Sequence, residues 1–150
     1  MIPPHDPKTG HLPPGIHDAT WPEVLARYGF NEHRLLLLAG LKAALDGLRR
    51  AGCARAYLDG SFVTAKPMPN DYDACWEMAG VDFDALDLHE PVLLDWGGRR
   101  AAQKARFRGE LFVAESAADP WGTPYLAFFQ RDRTSGQPKG IVAINLGGLP

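Results

Sequence analysis

The chain has 150 residues, 45% of them apolar and 23% charged, with a formal net charge of -2. That length suits one domain with one core, the composition argues against a disordered chain, and the charge provides no global field that would gather polyanions. No stretch approaches the ~18–20 apolar residues of a membrane span, and Met1-Ile2-Pro3-Pro4 lacks the regions of a signal peptide, so a cytoplasmic protein with no membrane association is expected.

In chain order, Pro3, Pro4, Pro7, Pro13, Pro14 and Pro22 remove backbone donors and break helices repeatedly. They predict an extended arm over 1–22, with Leu12, Ile16 and Trp21 laid against a single domain over 23–150. From Asn31 to Arg50, leucines at 35, 38, 41, 45 and 48 recur at helical steps, with Asn31 as N-cap and Arg49-Arg50 before Gly52 at the end. Arg55–Leu58 then reads as a strand ended by Asp59-Gly60, and Asp71–Trp76 alternates in the strand period. Further strands are predicted at Pro91–Asp95, Leu111–Ala114 and Ile141–Leu146, and helices at Phe83–Leu88, Arg99–Arg106 and Tyr125–Gln130. The pattern is mixed α/β.

Some residues that attract notice have plainer readings. Cys53 and Cys75 lie in apolar segments without metal-ligand spacing and read as buried thiols. The five histidines are scattered, with surface or arm roles. Trp76, Phe107, Phe112, Phe128 and Phe129 read as core. Two basic clusters, Arg99, Arg100, Lys104, Arg106 and Arg108, then Arg131, Arg133 and Lys139, read first as solvated faces.

Chemistry enters between Leu58 and Asp73. A strand that runs into Gly60-Ser61 can turn tightly, leaves no side chain in the way of a phosphate, and adds the Ser61 hydroxyl and N–H. A helical turn beginning at Ser61 would add unpaired N–H groups favourable to phosphate oxygens. Asp71 and Asp73, two apart on a strand, project from one face, with Tyr72, Ala74 and Trp76 on the other. Two carboxylates held together call for a cation, and oxygen-only ligation suits Mg²⁺ or Mn²⁺. Alone, Asn70-Asp71 after Pro69 would be ordinary turn chemistry.

Gly60-Ser61, the nine residues 62–70 and then Asp71-Tyr72-Asp73 resemble the motif of the nucleotidyltransferase superfamily that includes DNA polymerase beta: Gly-Ser, about nine to thirteen residues, acidic-apolar-acidic. Together with Leu12–His17, Phe128–Arg133 and Pro138–Val142, they resemble a family of small bacterial proteins of nucleotidyltransferase type. The resemblance implies an α/β (α+β) polymerase-beta-like fold, a mixed sheet with helices mainly on one side. It also implies transfer of a nucleoside monophosphate from a nucleoside triphosphate to an acceptor hydroxyl on RNA, such as tRNA, or on a protein. A role as the toxin of a toxin–antitoxin pair, with an antitoxin partner, is implied too. Catalytic and metal-binding roles fall on Asp71, Asp73 and a third carboxylate, for which Glu110 at a strand entry is preferred to Asp95. Gly60 and Ser61 would hold phosphates, with Lys66, Arg133 and Lys139 as further cations for the nucleotide. The alternative is a regulatory module of the same fold that binds nucleotide with little turnover.

Overall fold

A computed structural model describes residues 1–150. Five strands form one mixed sheet: β1 (Gly15–Ala19), β2 (Arg55–Asp59), β3 (Tyr72–Trp76), β4 (Gly109–Val113) and β5 (Gly140–Asn145), in the order β1-β5-β2-β3-β4. The outer pairs β1/β5 and β3/β4 are parallel, while β2 runs antiparallel to both β3 and β5. Five helices accompany them: α1 (Trp21–Tyr28), α2 (Glu32–Arg50), α3 (Phe83–His89), α4 (Gly97–Phe107) and the single turn α5 (Tyr125–Phe128).

The strand alternation divides the apolar residues unequally. Ala56, Leu58, Tyr72, Ala74, Trp76, Leu111 and Val113 belong to a cluster of 30 buried residues that also takes in α2 and buried residues of α1, α3 and α4. On the opposite face Tyr57, Cys75, Ile141 and Ala143 join a cluster of only 6, covered by Phe129 and its neighbours around α5. Helices therefore lie mainly on one side, as expected, and the thinly covered face has room for polar side chains. In α2, Leu38, Leu41, Leu45 and Leu48 are buried and Asn31 caps the first turn, its Oδ1 accepting from Arg34 N at 2.8 Å; Leu35, by contrast, is 46% exposed. Truncating one of these buried leucines to alanine costs ~2–5 kcal/mol.

Four expectations need correction. The extended arm stops at Pro14 rather than residue 22: Leu12 and Trp21 are buried as expected, but Gly15–Ala19 pairs with Gly140–Ile144 as edge strand β1 and Trp21 opens α1, because the proline-dense stretch ends at Pro14 and the later N–H groups are free to enter the ladder. Pro91–Leu94 is a 3-10 turn rather than a strand. Pro91 stands at its first position, where a missing N–H is harmless, and the buried Gln103 donates to Leu93 O. The helix read from Arg99 begins with a left-handed turn at Gly98, Arg99 and Arg100, with φ of 56°, 56° and 60°. Such a backbone costs ~1–2 kcal/mol for each non-glycine residue. It places the Arg100 guanidinium 3.9 Å over Phe112, with Nε donating to Leu111 O. Finally, α5 ends at Phe128 rather than Gln130. No helix is long and apolar enough to cross a membrane.

Candidate functional site

The register of the sheet aligns three carboxylates. Asp59, the last residue of β2, pairs with Asp73 on β3, and Asp73 pairs with Glu110 on β4. Paired positions share a face, so the three stand side by side on the thinly covered side of the sheet, at the ~4.8 Å strand spacing. Asp71 does not lie on the strand as expected; it sits just before Tyr72, at the β3 entry, and half-buried. Glu110 joins the row, and Leu111 and Val113 face the main core. Asp59, which the sequence reading passed over, completes it.

Lysines bracket the row. Lys139 Nζ donates to Asp59 Oδ1 at 2.7 Å in a pair that is almost fully buried. At the other end Lys104 Nζ lies 3.2 Å from Glu110 Oε1. Between them Asp73 has no such partner. Burial, then repulsion from Asp71, Glu110 and Asp59, pushes its carboxyl up to about 7 despite the opposing charge of Arg133. Asp71 is raised by burial and by Glu110 against the pull of Lys104, and Asp59 is raised by burial against the pull of Lys139. Protonation or a bound cation relieves this repulsion.

The turn at Gly60 is fitted to the row. Gly60 has a φ of +83°, and a Cβ on it would stand 2.8 Å from Asp73 Oδ2, so glycine here makes room for the carboxylate itself. Residues 61–63 form a turn closed by Val63 N donating to Gly60 O, not the start of a helix, so no helix dipole acts at Ser61. Ser61 is exposed, and its N–H and hydroxyl make no hydrogen bond within the protein.

What fixes the loop from behind is Arg34, completely buried in the first turn of α2. Its guanidinium donates five hydrogen bonds to the carbonyls of Tyr28, Phe62, Thr64 and Lys66, and it lies 4.5 Å from the rings of both Phe30 and Phe62. Asn31 Nδ2 donates to Pro67 O and His33 Nε2 to Pro69 O, so one helix end holds the segment from Phe62 to Pro69. Neither Arg34 nor His33 figured among the sequence candidates. Their signal was present in part: Arg34 is four residues before Leu38 and seven before Leu41, in phase with the buried stripe.

Residues 3–145 match a family described as a family of unknown function, DUF6932. The chain belongs to that family. No curated protein and no solved structure matches it.

In this DUF6932 chain the remaining sequence candidates separate. Lys66 is exposed; its carbonyl serves Arg34, and its ammonium forms neither a hydrogen bond nor an ion pair. Asp95 stands outside the in-register row, its Oδ1 accepting from Gly97 N at the entry to α4. Arg133 is exposed, with its charge felt at Asp73. The loop through Gly136 and Pro138 folds back on itself, as Lys139 N bonds to Gln130 O, and it brings Lys139 to Asp59. No group of three His, Cys, Asp or Glu side chains is gathered closely enough to hold a metal ion by itself. The donors are nevertheless all oxygens, aligned and under mutual repulsion, a chemistry that fits a hard divalent cation.

Proposed function

We propose that the chain is a metal-dependent nucleotidyltransferase with a polymerase-beta-like catalytic fold. It moves a nucleoside monophosphate from a nucleoside triphosphate to an acceptor hydroxyl and releases pyrophosphate. The observation that carries this reading is the in-register row of Asp59, Asp73 and Glu110, with Asp71 beside it, set against the Gly60-Ser61 turn. Carboxylates and a glycine turn in one place suit a triphosphate whose charge is shared with a cation.

Asp71, Asp73 and Glu110 would hold Mg²⁺ or Mn²⁺, which when bound neutralises carboxylates and phosphates and polarises the phosphoryl oxygens. The Ser61 N–H and hydroxyl donate to the β- and γ-phosphate oxygens, while Arg34 keeps their carbonyl-rich loop in shape. Arg133 and Lys139 lie on the same side and add positive charge near the triphosphate. Glu110 accepts the proton of the acceptor hydroxyl. The acceptor oxygen bonds to the α-phosphorus as the bridging P–O bond to the β-phosphate breaks, and that electron pair leaves on pyrophosphate.

The test is a thermal shift titration with each of the four nucleoside triphosphates, in Mg²⁺ or Mn²⁺ and in chelator, followed by incubation of labelled nucleotide with total RNA. Stabilisation that needs the cation, and label transferred to RNA or to protein, are expected. Equal stabilisation in chelator would count strongly against the reading. A toxin role extends it: expression alone should slow growth, and Asp71→Ala should relieve that. A second reading, nucleotide binding without turnover, is favoured by the absence of a ready-made group of three metal ligands; cation-dependent binding with no label transferred to any acceptor would support it.

A further inference from the structure

A cavity of about 350 Å³ opens beside Asp71, bounded by His33 and Leu36 of α2, by Asn70, and by Lys104 and Arg108 at the end of α4. It lies at the same end of the sheet as the carboxylate row, on the other side from the glycine turn. Gly60 approaches Asp73 from β2, while Lys104 reaches Glu110 on β4, and β2 and β4 flank β3 on opposite sides. A triphosphate on the Gly60-Ser61 side would leave this cavity open to an acceptor: Asp71 lines it, and Lys104 in its wall lies 3.2 Å from Glu110.

Its walls are cationic where the row is anionic. The five basic residues from Arg99 to Arg108 have divided: Arg106 is forked onto Glu90, Arg100 is stacked on Phe112 and Arg99 is exposed outside the cavity lining, whereas Arg108 has no hydrogen bond or ion pair and is exposed at the cavity. Lys104 has one carboxylate contact, to Glu110. The backbone of Arg108 is left-handed, with φ of 65°, in the cap that ends α4. Beside these cations the side chain of Leu36, which lines the cavity, is 53% exposed. Cations for phosphates next to an uncovered apolar side chain and the His33 ring, on which a base can lie, are the two components of single-strand recognition.

We infer that this cleft holds the acceptor, and that the acceptor is the phosphodiester-bearing end of a single-stranded oligonucleotide, contacted through Arg108 and Lys104. This rests on the nucleotidyltransferase reading above, since it takes Asp71 and Glu110 as the place where the acceptor hydroxyl reacts.

The experiment measures fluorescence anisotropy of end-labelled single-stranded RNA and DNA oligonucleotides of equal length with the full chain in Mg²⁺, across a salt series. Polyglutamate serves as a polyanion without phosphodiesters. Arg108→Asn removes the charge with a residue that tolerates the left-handed backbone. Arg50→Asn makes the same change at the far end of α2, about 15 Å along the axis from Gly40, where Phe107 packs. Arg108→Asn should weaken oligonucleotide binding about tenfold and flatten the salt dependence by roughly one phosphate contact, about 0.7 in the log–log slope. Arg50→Asn should stay within twofold, and RNA against DNA identifies which strand is preferred. Equal losses in the two variants, no loss in either, or binding of polyglutamate as tight as that of the oligonucleotides would overturn the inference. A thermal shift with Mg²⁺ and triphosphate separates the two levels. If that shift is retained in Arg108→Asn while oligonucleotide binding is unaffected, the cleft assignment fails and the nucleotidyltransferase reading survives. A wild type that binds oligonucleotide through Arg108 but no triphosphate supports the cleft and defeats the reading.

Discussion

Replacing Asp73 with asparagine should make the ligand-free protein more stable at neutral pH, although the residue stands at the centre of the candidate site. Burial and three neighbouring carboxylates hold its carboxyl at about 7 against an ordinary 3.8. The folded chain thus keeps a proton that the unfolded chain loses near pH 4, and between those values folding loses stability as pH rises. At ~1.4 kcal/mol per tenfold in proton affinity, ionising Asp73 in the folded chain costs about 4 kcal/mol. Partial exposure and rearrangement among the coupled carboxylates reduce the expected gain for Asp73→Asn to about 2–4 kcal/mol at pH 8, roughly 5–15 °C in Tm for a chain of this size. Urea unfolding followed by circular dichroism from pH 5 to 8 in chelator would measure it. Wild type should weaken across that range, the variant should weaken much less, and Mg²⁺ should restore stability only to wild type. Parallel stability curves, or a variant less stable than wild type at pH 8, would refute the argument that the row is held together against its own repulsion.

Four further outcomes follow from the site. Gly60→Val forces a branched residue to a φ of +83° with its Cβ against Asp73, so it should cost about 1–3 kcal/mol and abolish triphosphate binding; a folded variant that still binds would place the phosphates elsewhere. Arg34→Met leaves the carbonyls that Arg34 serves without their donor and should cost about 3–5 kcal/mol, with faster amide exchange over 60–70; exchange confined to α2 would show that the loop is held by other means. Arg34→Lys should recover little, because an ammonium cannot reproduce the planar fork. Glu110→Gln should keep cation-dependent triphosphate binding while losing most label transfer, and unchanged transfer would remove Glu110 as the proton acceptor.

Local signals carried much of the architecture. Asn31 and the leucine stripe announced α2, alternation announced β3 with Tyr72, Ala74 and Trp76 on the face away from Asp73, and Leu111–Ala114 announced β4 with Glu110 at its entry. Features set by distant partners were not legible. Gly15–Ala19 becomes a strand only because β5 lies alongside, and Asp59 enters the row only through the antiparallel register that puts it opposite Asp73. Arg34 looked like a charged residue in a first helical turn. That its guanidinium would find carbonyls from Tyr28 to Lys66 depends on a loop path that no periodicity encodes. Pro91–Leu94 failed differently, since a short apolar run does not distinguish strand from helical turn.

The position of β5 also bears on how the chain comes to be folded. This strand, flanked by β1 and β2, is the last in sequence, and its pairing brings Gly140 to Gly15 across most of the chain. During synthesis, at ~5–20 residues per second, the stretch carrying Asp59, Asp73 and Glu110 leaves the ribosome before the strand that joins it to β1, and before Lys139 can neutralise Asp59. Contacts of such sequence separation form slowly. The nascent chain therefore holds an incomplete sheet with an exposed edge on β2 until β5 has been made, and the ordered site waits on that distant strand rather than maturing early as a local unit.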